Sequence, residues 1–287
     1  MSNPYSHLAA FQETKNELIA IIDQTIALSE ELGLEDQQVL TAARENLEQE
    51  RFQVVVVGEF NRGKSYLINA LLGQAILPTG IRPTTAALTT IAYGQESRAV
   101  LHYHDNLGLA PREVSFAELK QLVTALTPDS EEQAQAIKLA EVHVDSELCA
   151  HGVTIVDTPR VNDLNEQREE ITYRFIPQSH AAILVLDATM PLSRSEKEFL
   201  ENRILASDIQ KIFFVLNKAS LIPEGEAAAV TAYTKQNLEA IPGLGKVRLF
   251  LIDAKEQLKR RPPEAVAHQP VPRVCRGTAA LFGAGAG

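Results

Sequence analysis

The feature that most constrains this chain is residues 58–65, Gly-Glu-Phe-Asn-Arg-Gly-Lys-Ser, a complete phosphate-binding loop pattern. A valine-rich run at 52–57 leads into it, and a helical pattern at 66–72 follows. The loop needs this context, because its glycines let backbone N–H groups face phosphates and the helix N-terminus adds partial positive charge. We therefore predict nucleotide binding, with Lys64 reaching the β- and γ-phosphates and the Ser65 hydroxyl binding Mg²⁺.

Every position of the loop, and the first residue of the helical pattern, is predicted to contact the nucleotide. These positions are Gly58, Glu59, Phe60, Asn61, Arg62, Gly63, Lys64, Ser65 and Tyr66. Two roles stay open for Arg62. It stabilises transition-state charge from within the same chain, or, as is more common for a loop arginine, it pairs with an acid or with solvent.

The overall charge and composition limit the partners of this chain. Its 287 residues carry a formal charge of −10, which argues against general nucleic-acid binding and weakens attraction to anionic membranes. Two distant cysteines, Cys149 and Cys275, indicate free thiols in a reducing compartment. The sequence shows neither a signal peptide nor an apolar run approaching the ~18 residues of a membrane span. We expect a cytoplasmic protein that does not bind nucleic acid.

From residue 51 onward, strand and helix patterns alternate. Buried strands are predicted at 54–57, 154–156, 182–186, 212–216 and 249–252. Helices are predicted between them, for example at 195–205 and 227–240. This rhythm predicts an α/β fold of the P-loop NTPase class, with a mostly parallel sheet covered by helices. Segments 89–93 and 99–104 are expected to form an antiparallel pair at the sheet edge.

The two ends of the chain differ from this central region. Residues 1–50 are predicted to form a helical hairpin, or neck, broken near Gly33. Its apolar positions are Leu8, Phe11, Leu18, Ile22 and Ile26 in the first helix and Leu40, Ala43 and Leu47 in the second. Residues 261–287 are rich in proline and glycine and are predicted to be a disordered tail.

Three further motifs each follow a predicted strand. Asp157 is predicted to hold Mg²⁺, usually through water. Asn217 and Lys218 resemble the base-reading Asn-Lys-x-Asp motif of GTPases, although Ser220 stands where its Asp is expected. Residues 253–255, Asp-Ala-Lys, resemble the Ser-Ala-Lys turn whose backbone supports guanine. The predicted base-side residues are Asn217, Lys218, Ser220, Ala254 and Lys255.

These motifs carry a family resemblance, which covers roughly residues 1–258. Besides the phosphate-binding loop, it rests on Leu-Pro-Thr-Gly-Ile-Arg-Pro-Thr-Thr at 77–85, Asp-Thr-Pro at 157–159, Asn-Asp at 162–163 and Glu-Glu-Ile-Thr-Tyr at 169–173. The chain resembles a dynamin-family large GTPase of the bacterial type. The resemblance implies that residues 51–260 form a GTPase domain, which hydrolyses GTP to GDP and phosphate with Mg²⁺.

The resemblance also implies roles for single residues. Thr85 would be the switch threonine that binds Mg²⁺ and orients the attacking water, with Thr84 as the alternative. Asn61 would help to hold a monovalent cation, K⁺ or Na⁺. The implied metal ligands are thus Ser65, Thr85 and Asp157, and the implied catalytic residues are Lys64, Thr85 and Asn61. The resemblance further implies a homodimer through the GTPase domains and action on membranes.

Three departures from the family pattern leave alternatives open. Arg160 replaces the glycine of Asp-x-x-Gly, whose N–H binds the γ-phosphate and whose freedom lets the switch move. Ser220 removes a carboxylate acceptor for two guanine hydrogens. The chain ends without a stalk or membrane tip, as a naturally short, truncated or frameshifted product would, so membrane contact is expected only through a partner. The alternatives to a GTPase are a non-hydrolysing binding module and an NTPase of relaxed base specificity.

Overall fold

The computed structural model describes residues 6–32, 38–48, 52–59, 61–79, 87–122, 136–158, 176–177, 179–207, 209 and 211–260. The helices of this part are α1 (Ser6–Glu31), α2 (Gln38–Glu48), α3 (Lys64–Leu72), α4 (Phe116–Leu122), α5 (Glu147–Ala150), α6 (Arg194–Phe199), α7 (Ala227–Glu239) and α8 (Ala254–Lys259). The strands are β1 (Phe52–Val57), β2 (Leu88–Tyr93), β3 (Arg98–Tyr103), β4 (Arg112–Val114), β5 (Ile137–Val144), β6 (Val153–Asp157), β7 (Ala181–Asp187), β8 (Lys211–Asn217) and β9 (Arg248–Leu251). A π-helical turn, Leu200–Ile204, continues α6.

The described strands form one sheet. Its order is β4-β3-β5-β2-β6-β1-β7-β8-β9. The strands from β6 to β9 in this order run parallel to one another, and β2 runs parallel to β5. The pairs β2–β6, β3–β5 and β3–β4 are antiparallel. The α/β fold with a mostly parallel sheet, predicted from the sequence, is therefore confirmed.

Alternating residues of the central strands pack into two different apolar layers. In β1, Val54 and Val56 belong to the layer that Leu67 of α3 completes. Val55 and Val57 belong to the opposite layer, which α6 and α7 cover. Because valine side chains are buried on both faces of the sheet, the valine run is stable as a central strand. The loop after β1 therefore emerges from the middle of the carboxyl edge of the sheet.

The predicted buried strands are present, but one predicted pairing is wrong. β2 and β3 do not pair with each other, because β5 lies between them. β5 runs parallel to β2 and antiparallel to β3, so its two edges satisfy the backbone hydrogen bonds of both. The sequence pattern did not predict β5, in which Ala140, Val142 and Val144 are buried and the residues between them are partly exposed. It also missed the three-residue edge strand β4.

Helices α1 and α2 pack against each other, and Arg44 of α2 forms an ion pair with Asp23 of α1. Part of the apolar surface of α1 stays exposed, since Leu18 is 44% and Ile21 is 57% exposed. Gly33 lies outside the described residues, as do the terminal residues 261–287, so the predicted break, tail and domain boundaries stay predictions. Within the described ranges, none of the helices combines the length and the apolar character that a bilayer crossing requires.

Asn69 fixes the turn that follows α3. Its fully buried side chain accepts from the amides of Ile76 and Leu77, at 3.0 and 2.8 Å, and donates to the Leu77 carbonyl oxygen at 2.9 Å. The helix itself ends at Gly73, whose φ of 74° is the left-handed conformation of a helix C-terminus. Asn69 thus sets the direction in which the chain leaves α3 toward the predicted switch segment.

Replacing Asn69 with alanine should strongly destabilise the fold. The Asn69→Ala variant removes the side-chain partner of the Leu77 amide and carbonyl and one of the two acceptors of the Ile76 amide. We expect a loss of about 3 kcal/mol in the free energy of unfolding. Urea denaturation measures this loss. The matched control is Asn237→Ala, which removes a solvent-exposed hydrogen bond to the Tyr233 carbonyl oxygen within α7. Equal stabilities for the two variants would contradict the anchoring role.

Candidate nucleotide-binding site

The loop between β1 and α3 lies close to two neighbouring strands because two of its residues are glycines. At Gly58, φ is 150° and a Cβ atom would lie 2.6 Å from the Val185 carbonyl oxygen in β7. At Gly63, φ is 92° and a Cβ atom would lie 2.2 Å from Asn217 Nδ2 in β8. Asn61 also has a positive φ, 58°. The predicted phosphate-binding loop therefore has a geometry that glycine permits and other residues would distort.

Asn217 joins this loop to the base-side motif. Its buried side chain donates from Nδ2 to the Arg62 carbonyl oxygen at 2.9 Å and accepts at Oδ1 from the Ala254 amide at 3.0 Å. Both ends of the side-chain amide are therefore used within the protein. One short side chain sets the spacing between the loop and the first residue of α8.

The first two residues of α3, Lys64 and Ser65, are each only 9% exposed. Lys64 Nζ donates to the Gly58 carbonyl oxygen at 2.7 Å and lies 3.4 Å from that of Glu59. The side chain thus folds back toward the beginning of the loop instead of extending into solvent. This is the position from which the ammonium can meet a phosphate held by the loop amides.

The carboxyl ends of β1 and β6 bring Asp157 beside the loop. Val56 of β1 and Asp157 of β6 are register partners in adjacent parallel strands. Asp157 is fully buried, and the Thr158 hydroxyl next to it donates to the Val56 carbonyl oxygen at 3.0 Å. The Ser65 hydroxyl and the Asp157 carboxylate are hard oxygen donors, which Mg²⁺ prefers. The donor chemistry on this edge therefore fits Mg²⁺.

Arg62 is held in a buried group of carboxylates, which we call the Arg62 cluster (Arg62, Glu59, Asp187 and Glu196). Arg62 Nε donates to Glu196 at 2.8 Å, and its terminal nitrogens lie 2.7 Å from Glu59 and 3.7 Å from Asp187. Burial raises the pKa of Glu196, although a hydrogen bond from the Ser193 amide and the charge of Arg62 oppose the shift. Of the two roles that the sequence left open for Arg62, the structure supports pairing with acids.

Lys218 contacts the same cluster from the base side. It has a left-handed backbone, with φ of 68°, and its Nζ donates to Asp187 Oδ2 at 2.6 Å. Burial alone would raise the pKa of Asp187, but hydrogen bonds from Lys218 and Thr189 outweigh it and hold the pKa below its usual value. Arg62 lies near the same oxygen, so one carboxylate links the loop to the base-side motif.

Ser220 lies directly against Asp253. Both its amide and its hydroxyl donate to Asp253 Oδ2, at 3.1 and 2.5 Å. Asp253 Oδ1 accepts from the Glu256 amide at 2.9 Å and so caps the N-terminus of α8. The next two residues differ in exposure, since Ala254 is buried and Lys255 is exposed.

The described part of the predicted site gathers at the carboxyl ends of β1, β6, β8 and β9. Tyr66 is half-buried and packs against the apolar layer under α3. Phe60, Thr85 and Arg160 lie outside the described residues. The contacts of all these residues with a nucleotide or metal stay predictions.

Three carboxylates of this region were not among the predicted site residues: Asp187, Glu196 and Asp253. A signal existed for Asp187, because it ends a buried strand in the same way as Asp157. No local pattern could identify Glu196, because it is 134 residues from its partner Arg62 in the sequence. Asp253 was recognised as part of a turn, but its contact with Ser220 depends on the pairing of β8 with β9.

The arrangement of loop, buried lysine, strand-end carboxylate and base-side turns defines a P-loop nucleotide-binding protein. The sequence model of the dynamin family matches residues 54–219, which is more than half of the chain. This chain therefore belongs to the dynamin family, and the resemblance inferred from its motifs is confirmed.

The relatives of the chain are longer proteins. It is 34% identical over 197 residues to the bacterial dynamin-like protein of Nostoc punctiforme, covering 66% of this chain and 27% of that protein. It is 28% identical over 267 residues to dynamin-like protein 1 of Campylobacter jejuni, covering 81% of this chain and 36% of that protein. The chain thus spans about a third of the length of these two relatives.

A solved structure of an oligomerised bacterial dynamin pair shares the fold. It superposes with a TM-score of 0.61 at 22% sequence identity, covering 98% of this chain and 51% of that one. That pair is described as providing a mechanism for long-range sensing and tethering of membranes. At this identity the likeness shows a common fold.

Removing the arginine of the Arg62 cluster should destabilise the protein in a pH-dependent way. In the Arg62→Ala variant, buried carboxylates lose their counter-charge, and we expect a loss of about 3–5 kcal/mol in unfolding free energy at neutral pH. The pKa of Glu196, already above its ordinary value of 4.5, should rise further without the arginine. The folded variant then binds more protons than the folded parent, so its deficit grows as pH rises through the interval between the two folded-state pKa values of Glu196, which lies above 4.5.

Chemical denaturation at several pH values tests this expectation. Arg194→Ala is the matched control, because Arg194 is 92% exposed and its ion-pair partner among the described residues is Glu198, one turn along the chain. That surface pair should contribute less than about 1 kcal/mol at any pH. A deficit in Arg62→Ala that is small, or independent of pH, would show that the cluster does not depend on its arginine.

Proposed function

We propose that this chain binds GTP and hydrolyses it to GDP and phosphate with Mg²⁺. The observation that carries the proposal is the Asn217 bridge, because it couples a complete phosphate-binding loop to the base-side motif at one edge of the sheet. Membership of the dynamin family supports the same activity at the level of the family. The residues proposed to contact the base are Asn217, Lys218, Ser220, Ala254 and Lys255.

The proposed chemistry relies on positioning and electrostatics. Lys64 and the loop amides bind the phosphates and stabilise the charge that develops on the transferring phosphoryl group. Ser65, Thr85 and Asp157 are the proposed Mg²⁺ ligands, with Asp157 acting through water. The bound ion neutralises phosphate charge. Thr85 is also proposed to orient the attacking water.

Two other loop residues have distinct proposed roles. Asn61, exposed and in a left-handed conformation, is proposed to help to hold a K⁺ or Na⁺ ion beside the phosphates. Arg62 contacts three carboxylates, so its charge is already compensated within the protein. Lys64 is therefore the loop cation on which the proposed hydrolysis depends.

A second candidate function is nucleotide binding without hydrolysis. The observation that favours it is Arg160, which stands in place of the glycine of Asp-x-x-Gly. An arginine keeps the backbone N–H but restricts φ, which limits the movement of a switch segment. In this case the nucleotide would serve partner contact or folding only.

Partners are proposed by extension from the relatives. Because the solved bacterial dynamin pair is described as oligomerised, this chain is proposed to self-associate. A homodimer through the GTPase domains is what the family resemblance implies. Membrane association is proposed to be peripheral and to use a partner. The formal charge of −10 argues against direct electrostatic binding to an anionic bilayer.

The Lys64→Ala variant should lose at least about tenfold in GTP affinity, because a charge-assisted contact with the phosphates disappears. Calorimetry measures binding, and phosphate release with GTP and with ATP over a range of protein concentration measures turnover. Lys197→Ala is the control, since Lys197 is 51% exposed and lies on α6. Unchanged GTP affinity in Lys64→Ala would refute the proposed phosphate site.

The Arg160→Gly variant separates hydrolysis from binding. If Arg160 restricts the switch, glycine should raise the turnover number for GTP with a smaller change in affinity, because affinity depends mainly on Lys64 and the loop amides. Single-turnover kinetics and calorimetry together measure the two effects. If the parent and the variant both bind GTP and neither releases phosphate, the result favours the non-hydrolysing candidate.

A further inference from the structure

Two positions of the base-side motifs carry each other's expected residue. Ser220 stands where the Asn-Lys-x-Asp motif has its carboxylate, and Asp253 stands where the Ser-Ala-Lys turn has its serine. From the sequence alone, the first change removes the acceptor for guanine, and the second has no evident meaning. The structure connects them, because the two side chains are in direct contact.

The contact fixes the Asp253 carboxylate beside Ser220, the motif position at which a carboxylate is expected. Its Oδ2 accepts from both the amide and the hydroxyl of Ser220, and its Oδ1 accepts from the Glu256 amide. The carboxylate is thus held between the loop after β8 and the first turn of α8. Ser220 is exposed and Asp253 is half-exposed, so a base can reach both.

The carboxylate is also kept in its charged form. Burial by itself raises the pKa of Asp253, but hydrogen bonds from Ser220 and from the Glu256 amide outweigh it and hold the pKa below its usual value. A carboxylate has about four acceptor positions, and the described contacts use three of them. The Ser220 hydroxyl gives its single proton to Asp253, so its own oxygen lone pairs stay available to a ligand.

We propose that Asp253, acting together with Ser220, is the specificity-determining acceptor for the ring N–H and exocyclic amino group of guanine. The inference rests on the proposed GTP binding and names the group that selects the base. The remaining lone pair of Asp253 Oδ1 and the polarised Ser220 oxygen present two adjacent acceptors. Adenine has neither the ring N–H nor the amino group at this edge, so it leaves both acceptors unsatisfied. Xanthine keeps the ring N–H but has a carbonyl oxygen in place of the amino group, so it satisfies one acceptor and faces the other with a second acceptor.

The competing interpretation is that Asp253 only caps α8. An asparagine at the cap is as effective as an aspartate, so Asp253→Asn preserves the helix while it removes the charge and adds a donor. This variant should bind GTP at least about tenfold more weakly and should gain affinity for xanthosine triphosphate relative to GTP. A Ser220→Ala variant should also weaken GTP binding, because it removes the polarised oxygen.

The exchange of both residues gives the sharper test. In the double variant Ser220→Asp with Asp253→Ser, a carboxylate and a serine are again paired, and GTP affinity should return to within a few-fold of the parent. Ser220→Asp alone would place two carboxylates in contact and should give no gain in GTP affinity. The control Glu256→Gln removes one negative charge from the same helix turn, where the Glu256 side chain pairs with Lys259, and should leave base selectivity unchanged.

Competition binding with GTP, xanthosine triphosphate and ATP measures all of these variants, with thermal unfolding to verify the fold. The inference is overturned if Asp253→Asn keeps the parental ratio of the affinities for GTP and xanthosine triphosphate. This holds whether the variant binds as tightly as the parent or binds every nucleotide equally more weakly. In that case the proposed function still stands if Lys64→Ala abolishes GTP binding in the same assay. A parent protein that binds none of the three nucleotides overturns both.

Discussion

The structure of this site depends on one buried hydrogen-bonding group, the side-chain amide of Asn217. An amide buried away from water must use both its donor and its acceptor, and Asn217 uses them on two different segments, the phosphate-binding loop and the start of α8. Gly63 has to be a glycine because Asn217 occupies the space of a side chain there. The segments proposed to hold the phosphates and the base are therefore built around the same side chain.

Electrostatic compensation is the second constraint on the loop. Arg62 and Lys218 both bring positive charge to this buried group, and three carboxylates compensate them. Two serine hydroxyls also donate to Glu59. Such a network fixes side chains more than it adds stability, because desolvation offsets much of the attraction. Arg62 is therefore paired with carboxylates of the protein itself. Lys64, in contrast, contacts backbone carbonyl oxygens at the start of the loop.

The sequence predicted the parallel half of the sheet well and the antiparallel half poorly. Strands buried on both faces, such as β1 and β7, are continuous apolar runs and are recognisable locally. β5 alternates buried and partly exposed residues, and its partners are strands far away in the chain. Nothing local distinguishes a β2–β3 hairpin from a sheet in which β5 separates the two strands, because only the pairing of distant segments decides between them.

The sequence by itself determined the loop, its strand and helix, and the order of the base-side motifs, because each follows from adjacent residues with strong backbone preferences. Tertiary structure decided which side chains meet. It brought Glu196 to Arg62 and Asp253 to Ser220, each across a long stretch of chain. Those contacts follow from the register of parallel strands and from the packing of helices on the sheet, and both depend on the whole fold rather than on any local pattern.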